Sequence, residues 1–175
     1  MAAAVIIKRH DIRIIFHLAA KMAALQSPWL MARPPRIPVW IADDQTVTYF
    51  TTICTADRKA VLANPETFEA IRTFCCENIN WPTIAAVLMP DHFHALVRPQ
   101  RDRHARVTQF SAGLKRFVRS RTQASWKWQD RVFDRLLRRN EFTESKWLYL
   151  RENPVRAGLV KRWQDWPYFI GHEGL

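Results

Sequence analysis

Ile84-Ala85-Ala86-Val87-Leu88-Met89-Pro90-Asp91-His92-Phe93-His94-Ala95-Leu96-Val97 reads as two short strands folded back on each other. The runs Ile84 to Met89 and Phe93 to Val97 are apolar and too short for helices. Pro90-Asp91 between them supplies turn chemistry, so an antiparallel hairpin is expected. Successive side chains on a strand leave opposite faces. His92 and His94 therefore share one face, and Phe93 points into the other.

Outward from the hairpin the apolar period alternates between strand and helix. Val47-Thr48-Tyr49-Phe50-Thr51-Thr52-Ile53 is β-branched and aromatic and predicts a first strand. Pro65 opens a helix to about Asn78, with Phe68, Ile71 and Phe74-Cys75 as its apolar stripe. After the hairpin a second helix is expected from about Arg103 to Thr122. Val107, Phe110, Leu114, Phe117 and Val118 face inward, and Lys115, Arg116, Arg119 and Arg121 face largely outward. A strand at Val132 to Leu137 and a helix from about Glu141 to Glu152, stopped by Pro154, complete the order. The class this defines is α+β: a ferredoxin-like antiparallel sheet (βαββαβ) with helices on one face, plus one C-terminal helix.

Residues 1 to 30 are Ala/Ile-rich, and the stretch Arg33-Pro34-Pro35-Arg36-Ile37-Pro38 after them cannot continue a helix. The domain is expected to occupy 31–175, with 1–30 as an extension. That extension reads either as a basic amphipathic helix or as upstream sequence translated ahead of a true start at Met31, the second being favoured. Lys8, Arg9, Asp11 and Arg13 interrupt its apolar run, so no membrane span is expected.

With 175 residues and 48% apolar content, the chain fits one domain with a real core. Its 27 Lys+Arg against 16 Asp+Glu give a formal charge of +11, which makes a polyanion the default partner. A basic surface without any nucleic-acid role fits the charge as well. Cys54, Cys75 and Cys76 form no CxxC pair, which argues against a disulfide framework or structural zinc site and for a reducing cytoplasm.

Two imidazoles on one strand face can supply two ligands to a divalent ion and leave other positions open to substrate oxygens and water. A bare His-x-His pair is also a common accident, so a third ligand is required. Tyr149 and Asn153 lie four apart on the last predicted helix and project from nearly the same side. If that helix packs beside the histidines, the Asn153 carbonyl oxygen completes the shell and Tyr149 presents its hydroxyl to a phosphodiester. The plainer reading makes Tyr149 a half-buried aromatic beside Trp147 or Leu150 and Asn153 a helix C-terminal residue. Lys115, Arg116 and Arg119 could track a DNA backbone, and Trp126 or Trp128 could stack on unpaired bases or simply pack in the core.

Taken together these segments resemble a known family. The run Leu88-Met89-Pro90-Asp91-His92-Phe93-His94-Ala95-Leu96-Val97 resembles the His-hydrophobic-His (HUH) signature of single-tyrosine transposases. Tyr149-Leu150-Arg151-Glu152-Asn153-Pro154-Val155-Arg156-Ala157-Gly158-Leu159-Val160 is similar to the C-terminal hallmark of one branch, the REP-associated tyrosine transposases. Trp128-Gln129 followed by Phe133 and Arg138 is similar to that branch's strand before the last helix. Asp165-Trp166-Pro167 resembles its closing segment, and Met31-Ala32-Arg33-Pro34 resembles its start. The likeness covers roughly residues 31 to 170. One departure is Arg135, which stands where relatives usually carry a His.

The resemblance implies His92 and His94 as metal ligands, Asn153 as the helical third ligand and Tyr149 as the nucleophile on a catalytic C-terminal helix. It implies Mg²⁺ or Mn²⁺, which would polarise a scissile phosphate oxygen, and a 5′-phosphotyrosine link with a free 3′-OH. Because that link retains the ester bond, strand transfer needs no ATP. The implied substrate is a single-stranded DNA hairpin formed by repetitive extragenic palindromes, contacted by Lys115, Arg116, Arg119, Arg138 and Trp128. The implied setting is the bacterial cytoplasm, at the nucleoid, for a monomer or a homodimer in which Tyr149 acts in cis or in trans. A domesticated, non-catalytic binder of structured single strands is the alternative. A zinc hydrolase is a third, with only Asp91 as a candidate base.

Overall fold

The computed structural model describes residues 47–137 and 140–171, the side chains of 140–142 excepted. All belong to one compact unit, Ile41–Leu175. The readings that fall on residues 1–46, including the extension and the Met31 start, lie outside the described residues, as does Arg138.

Five strands and three helices follow in the order β1 (Thr48–Cys54), α1 (Pro65–Glu77), β2 (Thr83–Leu88), β3 (His92–Val97), α2 (Val107–Thr122), β4 (Phe133–Leu137), α3 (Asn140–Arg156) and β5 (Phe169–Ile170). The sheet order is β4-β1-β3-β2-β5, and every pairing is antiparallel. The first four strands and two helices make the expected ferredoxin-like βαββαβ pattern. α1 starts as its sequence dictates, with Pro65 in the first turn and the Asn64 side chain accepting from Thr67 N at 2.9 Å.

Both faces of the sheet are apolar, because each is covered. Ile53, Phe93, Ala95 and Val97 on one face pack with Ile71, Phe110, Leu114 and Val118 of α1 and α2. Phe50, Val87 and Leu96 on the other pack with Trp147 and Leu150 of α3. Leu150, Leu114 and Phe93 have no exposed surface, and each such side chain contributes about 1.5–3 kcal/mol relative to an exposed one. α3 thus covers the sheet face to which His94 belongs, opposite α1 and α2.

Three boundaries differ from the sequence reading. α2 begins at Val107 rather than near Arg103, because Asp102 first turns the chain: its side chain accepts from His104 N at 2.8 Å and its carbonyl from Ala105 N at 2.9 Å. α3 does not stop before Pro154, which lies inside it. The helix ends instead on Gly158, at φ +70, with Gly158 N donating to Val155 O and Leu159 N to Pro154 O, both at 2.9 Å. This is a Schellman cap, and only its left-handed residue stops the helix. β5 was not expected, since two residues carry no legible alternation. Phe169 and Ile170 pair with Val87 and Ala86 and cover the outer edge of β2. No helix among the described residues is long and apolar enough to cross a membrane.

Candidate active site

The hairpin turn places the histidines. Met89 N donates to His92 O at 2.8 Å across Pro90-Asp91, and neither turn residue has a positive φ. Two-residue hairpin loops normally use positive φ to match strand twist. Here the segment after β1 ties the turn down instead. Thr55 donates to Asp91 O through both N and Oγ1, each at 3.0 Å, and Leu62 N donates to Pro90 O at 2.8 Å.

Asp91 then acts on its neighbour. Its Oδ1 lies 2.6 Å from His92 Nδ1, and its Oδ2 lies 2.7 Å from Arg58 Nε. Arg58 is aimed by two consecutive left-handed residues, Asp57 at φ 56 and Arg58 itself at φ 54, a conformation that costs about 1–3 kcal/mol each for non-glycine residues. Arg58 also donates to Cys54 Sγ at 2.7 Å. The Arg58 guanidinium approaches His92 Nδ1 as well, at 3.4 Å. The shorter carboxylate contact governs, so Nδ1–H donates to Asp91 and Nε2 keeps its lone pair.

His94 is 6% exposed, and its Nδ1 lies 2.8 Å from Thr52 Oγ1 on β1. Burial, reinforced by the proximity of His92, pushes its pKa down to about 3. Burial also lowers His92, partly opposed by Asp91. Both rings are therefore neutral near pH 7, the form in which imidazole can ligate. The ring centroids are 4.4 Å apart. Each ring turns its Nδ1 to a protein partner, Thr52 for His94 and Asp91 for His92.

Tyr149 comes from α3. Its ring stands edge-on to His94 at 5.7 Å and to Phe50 at 5.8 Å, so its packing on the sheet is also what brings it to the histidines. Two cations lie over the ring, Lys146 Nζ and Arg156 Cζ, each 5.1 Å from the centroid. Asn153, half-buried, lies one turn beyond Tyr149 on the same side of α3. Among the described residues no group of three or more His, Cys, Asp and Glu side chains forms a metal-binding cluster.

The expected DNA-contacting residues lie elsewhere. Arg116 and Arg119 are exposed on α2, on the far side of the sheet from the histidines. Lys115 is turned inward: its ammonium donates to Gln129 O at 2.5 Å and Asp130 O at 3.1 Å, and burial lowers its pKa. It tethers the α2–β4 loop instead of facing outward. Trp126 and Trp128 meet edge-to-face at 4.8 Å and pack against the α1/α2 core. Both rings pack on that core, and both are only partly buried. Sequence reasoning missed Lys146, Arg156, Thr52 and Arg58. Lys146 was findable, one turn before Tyr149 on the same face. Arg58 was not, because a left-handed loop leaves no periodic trace.

A ferredoxin-like sheet with a His-x-His strand faced by a tyrosine on its C-terminal helix is the class of protein these elements define. The chain is 31% identical over 142 residues to a protein of Haemophilus influenzae assigned as a REP-associated tyrosine transposase, a match that spans 73% of this chain and 81% of the relative. The chain belongs to the REP-associated tyrosine transposase family. Its fold is similar to the solved structure of a REP-associated tyrosine transposase bound to a REP hairpin, with a TM-score of 0.60, 22% identity and coverage of 71% of this chain and 76% of that one. No protein-family model matches.

Proposed function

We propose that residues 31–175 form a single-strand DNA transposase that cleaves and rejoins hairpin-forming palindromes through Tyr149. The observation that carries this reading is the 5.7 Å edge-on approach of the Tyr149 ring to the buried His94 imidazole. Because both residues belong to one chain, the approach supports a tyrosine that acts in cis, in a monomer or in each subunit of a dimer. The family's named members support the substrate class, and the +11 charge suits it.

His92, His94 and Asn153 would hold Mg²⁺ or Mn²⁺: two neutral imidazoles with Nδ1 engaged, joined by an amide oxygen, fit such a cation with positions to spare. When bound, the ion supplies polarisation of a phosphate oxygen and neutralisation of its charge. Tyr149 Oη gives up its proton and attacks phosphorus in line. The Oη–P bond forms, the P–O3′ bond breaks, and the departing oxygen takes a proton to become a 3′-OH. The DNA is left joined through a 5′-phosphotyrosine. Attack by a 3′-OH on the same phosphorus breaks the Oη–P bond and rejoins the strands, so no energy source is consumed. Lys146 and Arg156, each 5.1 Å from the centre of the phenol ring, would meet the anionic phosphate. The enzyme would act in the cytoplasm on nucleoid DNA.

The test incubates the protein with single-stranded hairpin DNA and Mg²⁺ or Mn²⁺ and looks for a covalent adduct on denaturing gels. An adduct lost in Tyr149→Phe supports the reading. Cleavage that survives the substitution removes Tyr149 as nucleophile, and tight hairpin binding without cleavage by the unsubstituted protein makes the chain a non-catalytic binder.

A further inference from the structure

Sheet register carries the site sideways to an exposed ring. Thr52 pairs with His94 on one side and with Phe133 of β4 on the other. Residues directly opposite in antiparallel strands project to the same face. Phe133, Thr52 and His94 therefore form one row across the sheet, on the face covered by α3. The next row on that face is Arg135, Phe50 and Leu96. Strands lie about 4.8 Å apart, so the Phe133 backbone is two spacings, roughly 10 Å, from that of His94.

Phe133 is 61% exposed. Among the described residues the exposed large hydrophobics are Ile79, Phe133, Leu148 and Leu159, of which Phe133 alone is aromatic. It sits on the edge strand, and no described strand pairs with the outer side of β4. Arg135, two residues on, is exposed on the same face. Lys146 Nζ stands 5.1 Å over the Phe50 ring, in the row of Arg135. An exposed π-face, flanked by cations and in line with a phosphodiester-cleaving centre, has the composition of a single-strand platform. A lone exposed phenylalanine is ordinary on any protein. Its register with His94 and its neighbour Arg135 are what single this one out.

We infer that Phe133 and Arg135 form a subsite for an unpaired nucleotide adjacent to the scissile phosphate, Phe133 stacking on the base and Arg135 holding the phosphate beside it. This rests on the reading of Tyr149 and the histidines as a strand-cleaving centre. It also gives the departure at position 135 a consequence: an arginine is charged at every physiological pH, whereas a histidine there would offer phosphate a positive charge only when protonated.

The experiment measures binding of a fluorescein-labelled mixed-sequence single strand, and of its duplex, by the full chain carrying Tyr149→Phe in EDTA, so that no chemistry contributes. Phe133→Ala should weaken single-strand binding about tenfold, leave duplex binding unchanged and be rescued by Phe133→Trp. Arg135→Gln should reduce the single-strand salt slope by about 0.7. A single strand carrying 5-iodouracil should photo-crosslink to the peptide containing Phe133. Unchanged affinity in Phe133→Ala together with crosslinks confined to other peptides overturns the subsite. So does an effect that sedimentation traces to dissociation of a dimer paired through β4. The adduct assay on the chain without Tyr149→Phe separates the two ideas. Adduct formation with Phe133-independent binding removes the subsite and keeps the chemistry, while Phe133-dependent binding without adduct does the reverse.

Discussion

The Asp91 carboxylate lies 2.6 Å from His92 Nδ1, so the residue that shapes the hairpin turn also fixes the tautomer of the imidazole beside it. A carboxylate behind a ligating histidine orients the ring and raises its basicity, and loss of such a partner typically costs 10–100-fold in metal affinity. Asp91→Asn should weaken Mn²⁺ binding by about that factor, as read by the free-Mn²⁺ signal in electron paramagnetic resonance titrations. Wild-type affinity in the variant would show that His92 needs no outer partner. Arg58→Gln, one step further out, should show a smaller loss in the same titration.

Lys146 and Arg156 each place a cation 5.1 Å from the Tyr149 ring centroid. On the proposed reading, their value would lie in the negative charge that develops at phosphorus during the attack. Removal of one such preorganised group commonly costs about a hundredfold in the chemical step. Lys146→Met and Arg156→Gln should each slow single-turnover adduct formation by that order, with hairpin affinity changed less than tenfold. If the two effects are equal in size, the cations hold substrate rather than assist the attack.

The hairpin was legible because Pro90-Asp91 punctuates two apolar runs, and the His face followed from strand alternation alone. Tyr149 and Asn153 were readable as neighbours, being four apart on a helix. The meeting of Tyr149 with His94 was not readable from period, because which sheet face α3 covers depends on Trp147 and Leu150 finding Phe50, Val87 and Leu96. Family likeness supplied that link. Lys115 went the other way: its position on the polar side of α2 predicted exposure, but nearby loop carbonyls captured the ammonium. Periodicity reports a residue's direction, not the loop that arrives beside it.

His94 provides a pH signature. Its pKa is lowered from 6.5 to about 3 in the fold, chiefly by burial and then by His92, so between those values the unfolded chain binds a proton that the folded chain does not. Stability therefore rises with pH across that window and is lost as pH falls below about 6.5, with a limiting slope of about 1.4 kcal/mol per pH unit for one proton. Urea melts from pH 7 to 4.5 should show this slope superimposed on carboxylate titration. His94→Gln should flatten it by close to one proton, and parallel curves for the two proteins would contradict a buried neutral imidazole.

Gly158 ends α3 at φ +70 with no atom within 4 Å of the place a Cβ would take. Substitution there meets no clash, so its cost is that of the left-handed backbone itself, about 1–2 kcal/mol for an ordinary residue. Gly158→Ala should lower stability in urea melts by about that amount, while Gly158→Asn, which tolerates left-handed backbone through its short polar side chain, should lose less. The position has a functional readout as well. The Schellman cap fixes the turn that carries Asn153 and Arg156, one and two turns past Tyr149, so fraying should weaken Mn²⁺ binding in Gly158→Ala more than in Gly158→Asn. Equal metal affinity in both variants, despite different stabilities, would show that the last turn of α3 holds its geometry without the cap.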